Sequence, residues 1–209
     1  MAQLQHLSFV YILGFGPFAA SIQLPNLKSL TIPTSTALLV DVPNWEMPSL
    51  VWVEVVVQSV DGLEMLSDFF QKYGRALEFL RLTAIYVDFV IPPSIFDHCS
   101  NLTTLSFDPL SCSVFDSIST TSMRHDNLRT LVMSMDGGGT CDDVGPVDQI
   151  ELVETTMQYL NRGLDHLEEV DLVFMRDSPP DFASEFLEMV SVTFLTCRVV
   201  LVENPMLCG

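Results

Sequence analysis

Seven times along the chain, an apolar residue is followed three positions later by a second and two positions after that by a third. The sets are Leu4/Leu7/Phe9, Leu27/Leu30/Ile32, Leu50/Val53/Val55, Leu77/Leu80/Leu82, Leu102/Leu105/Phe107, Leu128/Leu131/Met133 and Leu167/Val170/Leu172. Successive sets begin 23, 23, 27, 25, 26 and 39 residues apart. One such set carries no information in a chain that is 48% hydrophobic, but seven in one phase define an internal repeat. The alternation puts every second side chain on one face of a strand. Each strand is too short to bury that face alone, so the period predicts like strands stacked in parallel over one continuous apolar interior. Arg198 to Glu203 is expected to add an eighth strand. The lead-ins recur as well: Pro25-Asn26-Leu27, Pro48-Ser49-Leu50, Ser100-Asn101-Leu102 and Asp126-Asn127-Leu128.

The segments between strands are partly helical in pattern. Asp61 to Tyr73 carries Leu63, Leu66, Phe69 and Phe70 on one stripe and is expected to stop at Gly74. Asp148 to Arg162 and Asp181 to Thr196 show similar stripes, and Pro92-Pro93 opens one short helical turn ending near Cys99. The first two returns, near Gly14–Ile22 and Thr34–Trp45, are rich in breakers and are expected to be irregular.

Three segments carry a resemblance to a known family. They are Phe69 to Leu82, Ile95 to Leu105 and His125 to Leu131, with their strand entries Ala76-Leu77-Glu78-Phe79-Leu80, Asn101-Leu102-Thr103-Thr104-Leu105 and Asn127-Leu128-Arg129-Thr130-Leu131. The chain resembles a leucine-rich-repeat solenoid of the irregular kind found in the fungal F-box/leucine-rich-repeat-like group. The resemblance implies an α/β horseshoe of seven to eight parallel strands, with helices and irregular loops on the convex side. It covers residues 1–209 as a single domain. Two features depart from the family. The Asn or Cys expected three residues past the third apolar position is replaced by Ile12, Ser35, Gln58, Ile85, Leu110, Asp136 and Met175. No F-box precedes the first repeat, and the chain enters a strand at Leu4 without a capping helix. That start reads as an N-terminal truncation, with self-association through the open end as the alternative.

Charge narrows the partners. There are 9 Lys and Arg against 27 Asp and Glu, a net charge of −18. This field repels phosphate backbones and anionic lipid, so neither nucleic acid nor a membrane surface is an expected partner. The five cysteines, Cys99, Cys112, Cys141, Cys197 and Cys208, have no regular spacing, which favours a reducing compartment, cytoplasmic or nuclear. A secreted or surface repeat protein is the alternative; it would draw on the apolar run Leu7 to Ala20 and the sequon Asn101-Leu102-Thr103.

No motif for catalysis emerges, and the expectation is a protein without enzyme activity, cofactor or metal. Gly137-Gly138-Gly139 lacks the Gly-Lys-Ser/Thr of a phosphate loop and sits among Asp136, Asp142 and Asp143. Residues 136–147 read as an acidic, Gly-rich loop insertion. His98, Cys99, His125 and Cys112 fit no zinc signature.

The repeat phase does yield a binding surface. Positions one, four and six point inward, so positions three and five line the concave face. Stacking makes neighbours of Trp52 and Phe79 and of Glu54 and Arg81. With Ser106, Glu169 and Asp171, these are the candidate partner-binding residues, because exposed Trp, Phe and Arg on a rigid surface dominate binding energy. The same residues could instead form a ladder that satisfies only itself. The expected role is non-catalytic protein recognition. By the resemblance it would be the substrate-reading part of a ubiquitin-ligase receptor, joined to a Skp-type adaptor and cullin if an F-box lies upstream.

Overall fold

The computed structural model describes residues 3–9, 21–34, 42–58, 63, 66–84, 91, 93–107, 125–134, 166–174 and 198–203. Each apolar unit becomes a strand: β1 (His6–Ser8), β2 (Ser29–Pro33), β3 (Trp52–Val57), β4 (Phe79–Ala84), β5 (Thr104–Phe107), β6 (Thr130–Ser134), β7 (Glu169–Phe174) and β8 (Arg198–Glu203). They form one eight-stranded sheet in chain order, and every pairing is parallel. The chain is therefore α/β, with α1 (Ser67–Tyr73) and α2 (Pro93–His98) as the helices among the described residues.

The apolar pattern sets the register. Leu7, Leu30, Val53, Leu80, Leu105, Leu131 and Val170 form one row across seven strands. A slip of one residue in any strand would turn its apolar set to the opposite face. From Leu27 to Val170, the first, fourth and sixth positions that can be described are at most 5% exposed and belong to a single core. Leu4 departs from this expectation at 46% exposed. Among the described residues, β1 has a neighbouring strand on one side only, so nothing covers Leu4 as Leu4's successors are covered.

Hydrogen bonds at each strand entry repeat as faithfully as the apolar positions. The carbonyls of Gln5, Lys28, Val51, Glu78, Thr103 and Arg129 each accept two consecutive N–H groups of the next unit, beginning with Lys28 and Ser29 and ending with Glu168 and Glu169. Just before the strands, the N–H of Leu27, Leu50, Leu77 and Leu102 closes a tight turn onto the carbonyl three residues back. The recurring lead-in residues brace these turns from the neighbouring unit. Ser49 Oγ donates to the Pro25 carbonyl at 2.7 Å, Asn101 Nδ2 to the Arg75 carbonyl at 2.7 Å and Asn127 Nδ2 to the Ser100 carbonyl at 2.8 Å. The side chain that precedes the first apolar position thus caps a carbonyl that the turn leaves free.

The helices lie against the covered face. α1 buries Phe69, Phe70 and Tyr73, with the two Phe rings edge to face at 5.4 Å. α2 opens on Pro93, whose missing N–H costs nothing in a first turn, and buries Ile95 and Phe96. Of the helix expected over 61–73, only Ser67 onward is helical among the described residues, with Leu63 and Leu66 buried ahead of it. The chain does not stop at Gly74 through a left-handed cap. Gly74 has φ −53° and continues into a 3-10 turn, Gly74–Ala76. A Cβ there would sit 2.7 Å from the His98 carbonyl oxygen, so the glycine is there to let α1 and α2 approach. The helical patterns at 148–162 and 181–196 and the acidic insertion 136–147 lie outside the described residues.

α1 also fastens the return ahead of it, where one 3-10 turn, Val42–Asn44, precedes a buried Trp45. Lys72 Nζ donates to the Pro43 and Trp45 carbonyls at 3.0 and 2.8 Å and to Glu46 Oε1 at 3.1 Å, and Tyr73 donates its hydroxyl to the same Trp45 carbonyl. Burial pulls the Lys72 ammonium down, but its contacts with Tyr73 and Glu46 outweigh that and raise its pKa above 10.5.

Candidate functional site: the open face of the sheet

Among the described residues, every second strand residue points away from the core, onto the face opposite α1 and α2. In β3, Trp52, Glu54 and Val56 alternate with fully buried Val53, Val55 and Val57. The expected neighbours meet. Trp52 and Phe79 are in register, and their rings stack at 5.4 Å with 17° between planes. Such a pair contributes about 0.5–1.5 kcal/mol beyond its buried area and holds both rings in place. Glu54 and Arg81 are in register two residues on, with Arg81 Nε 3.5 Å from Glu54 Oε1.

Glu54 is the most constrained group on this face. Its Oε2 accepts from Thr31 Oγ1 at 3.1 Å, and its Oε1 accepts from Thr83 Oγ1 at 3.3 Å while facing Arg81. One carboxylate thereby ties β2, β3 and β4 together. Arg81 forms no hydrogen bond among the described residues beyond this loose pairing, and a third of its side chain is exposed. At the β1 end, His6 Nδ1 and Ser29 Oγ share a hydrogen bond of 2.6 Å.

The other expected residues separate into two kinds. Glu169 and Asp171 stand half-buried on β7, three strands from Phe79 and Arg81. Ser106, on the same face, is only 4% exposed. It lies between Arg81 and Val132 in register. Thr83 was not among the expected site residues. Its signal was the alternation carried one step past Arg81, since β3 and β4 stay paired as far as Val57 and Ala84.

His98, Cys99 and His125 do approach each other, through the backbone. His125 is buried, and its Nε2 lies 2.8 Å from the Cys99 carbonyl oxygen; its ring packs edge-on to Phe96 at 6.3 Å. A carbonyl can only accept, so Nε2 carries the proton in this tautomer. Burial pushes the Cys99 thiol up to about 12. Among the described residues, no three His, Cys, Asp or Glu gather as metal ligands would. Cys112 lies outside the described residues.

A cavity of about 190 Å³ opens beside β1, lined by Leu7, Phe9, Ile22, Leu24 and Trp45. Its walls are apolar, and it lies on the covered side of the strands. No helix among the described residues is long and apolar enough to cross a membrane.

No family model, curated protein or solved structure matches this chain. The functional reading therefore rests on the geometry above.

Proposed function

We propose that the chain is a leucine-rich-repeat solenoid acting as a non-catalytic protein-recognition module, with the open sheet face as its reading surface. The observation that supports this most is the Trp52–Phe79 stack beside Arg81. Large apolar rings and a guanidinium are held out of the core on a stiff eight-strand frame. Rigid aromatic and Arg side chains lose little freedom on binding, so their contacts are retained as affinity. The unbroken chain-order stacking of parallel strands supports the solenoid reading, since consecutive like units touching only their neighbours are the mark of that architecture.

Within this reading, the face recognises a protein in the cytoplasm or nucleus. An F-box encoded upstream would make the chain the substrate-reading part of a ubiquitin-ligase receptor, delivered to a Skp-type adaptor and cullin. This last step rests on resemblance alone.

The test is a quantitative pull-down with the parent chain and with Trp52→Ala/Arg81→Ala at matched stability. A control carries Gln71→Ala and Asp97→Ala, exposed positions on the two helices. Recognition through the open face predicts interactors lost only from the Trp52/Arg81 variant. The same interactors on all three proteins would overturn the reading.

A further inference from the structure

We infer that the cavity beside β1 is a binding site for a small uncharged hydrocarbon-like molecule of one ring. The site lies on the covered side of the sheet, so the inference goes beyond the recognition reading and does not depend on it. The repeat itself marks the place. At positions four and six of the second to fifth units, Leu30/Ile32, Val53/Val55, Leu80/Leu82 and Leu105/Phe107 are at most 1% exposed. Their counterparts in the first unit, Leu7 and Phe9, are only partly buried, as are Ile22 and Leu24 ahead of the second. These four side chains and the buried ring of Trp45 line the cavity of about 190 Å³. The first unit therefore keeps the inward direction of the repeat without its closure.

Backbone hydrogen bonds hold the walls in place. The Phe9 N–H donates to the Thr31 carbonyl at 3.0 Å. The Leu24 N–H donates to the Glu46 carbonyl and the Glu46 N–H to the Ile22 carbonyl, both at 2.8 Å, so Ile22 to Leu24 runs as a short parallel bridge beside Trp45 and Glu46. The Trp45 N–H closes onto the Val42 carbonyl at 3.1 Å, and the Trp45 carbonyl accepts from Lys72 and Tyr73. The Phe9 and Trp45 rings lie 5.9 Å apart with 53° between planes. Walls fixed in this way make a preformed site, and an occupant gains their dispersion contacts without first having to order them.

The chemistry of the walls selects the occupant. Among the described residues, no donor or acceptor opens onto the cavity. The Trp45 Nε1 is buried without a partner and adds no surface to the wall, so the carbon atoms of the ring are what an occupant meets. A charged or strongly hydrogen-bonding molecule would lose its water here with nothing in return, and a peptide would bring its backbone polar groups to the same apolar walls. The net charge of −18 further opposes an anion such as a fatty acid. Size sets the rest. An apolar cavity of about 150 Å³ lined by Leu, Ile and Phe admits benzene. The larger volume here suits one ring with a methyl or short alkyl substituent.

The experiment titrates the full chain carrying Trp52→Phe, which leaves Trp45 as its single Trp, with toluene as the probe. Trp45 emission and the methyl NMR signals of Leu7, Ile22 and Leu24 are the readouts. Toluene should give a saturable change with a Kd on the order of 1 mM, with methyl shifts centred on those three residues. Leu24→Phe should weaken toluene about tenfold by taking up the space, and Ile22→Phe serves as the second variant should Leu24→Phe unfold. Benzoate, of similar size but charged, should neither bind nor compete. Shifts that do not saturate or spread over the whole chain, toluene binding indifferent to the space-filling variants, or benzoate binding as well as toluene would each overturn the inference. So would cavity signals that respond to protein concentration and not to toluene, which would assign the cavity to a second copy of the chain. None of these outcomes touches the open face, so the recognition reading stands or falls by its own pull-down.

Discussion

The two faces of the sheet share one backbone and one register, yet they carry different kinds of information. On the covered face, the row from Leu30 to Val170 is Leu, Val, Leu, Leu, Leu, Val, each at most 1% exposed. Any aliphatic side chain of similar volume meets the requirement there, because burial is non-directional and volume-conserving exchanges cost little. On the open face, the neighbouring row reads Thr31, Glu54, Arg81, Ser106, Val132, Asp171. No two successive residues are alike, and several are held by specific partners. The covered face specifies stability, and the open face is free to specify recognition.

The comparison can be broken most directly on the covered face. Leu80→Ala removes a fully buried side chain from a central strand and should cost about 3 kcal/mol in urea unfolding, from lost transfer energy plus a residual cavity. A cost below about 1 kcal/mol would mean that the rows do not share one packed core. Gly74→Ala should follow at about 2 kcal/mol, because its Cβ meets backbone that cannot step aside, the His98 carbonyl. If Gly74 served as a left-handed cap, the penalty would come from φ; since φ is −53°, it should come from separation of α1 and α2 and appear as faster amide exchange in both helices.

The seam between units comes next. Asn127→Ala deletes the brace to the Ser100 carbonyl and should cost about 1 kcal/mol, with Asn127→Ser recovering part of it as Ser49 does at its own unit. Arg81→Ala should change stability by less than about 1 kcal/mol, since its pairing with Glu54 is loose and a third of the side chain is in water. Binding is where that substitution should register. The smallest effect belongs to Cys99. With its thiol pushed up to about 12, it should resist alkylation at pH 8 in the folded chain and react once urea is added. Its folded pKa lies above the unfolded value of 9.0, so its contribution to stability is whole below pH 9 and fades as the pH climbs from 9 toward 12. Rapid labelling of Cys99 in the native state would show that the α2 side of the core is open.

Much of this was legible from the chain alone, and for a definite reason. Strand alternation has a period of two and depends on adjacent residues, so the apolar rows, their register and the pairs Trp52–Phe79 and Glu54–Arg81 follow from counting positions. The lead-in Ser and Asn residues were visible as a recurring pattern, although their purpose was not. A side chain reaching a carbonyl in the preceding unit is recognisable only when two turns lie side by side, as Asn101 and Arg75 do.

What the tertiary structure alone decided depends on how neighbours pack and on the approach of segments distant in sequence. Ser106 occupies an outward position, between Arg81 and Val132 in register, and is nonetheless buried. Gly74 looked like a helix stop and is a point of close contact, because α2 crosses just above it. Leu4 matches the apolar phase but stays exposed, since burial needs a neighbour on both sides and the described sheet supplies one. Local periodicity determines which way a residue points; only the packed neighbours determine whether anything reaches it.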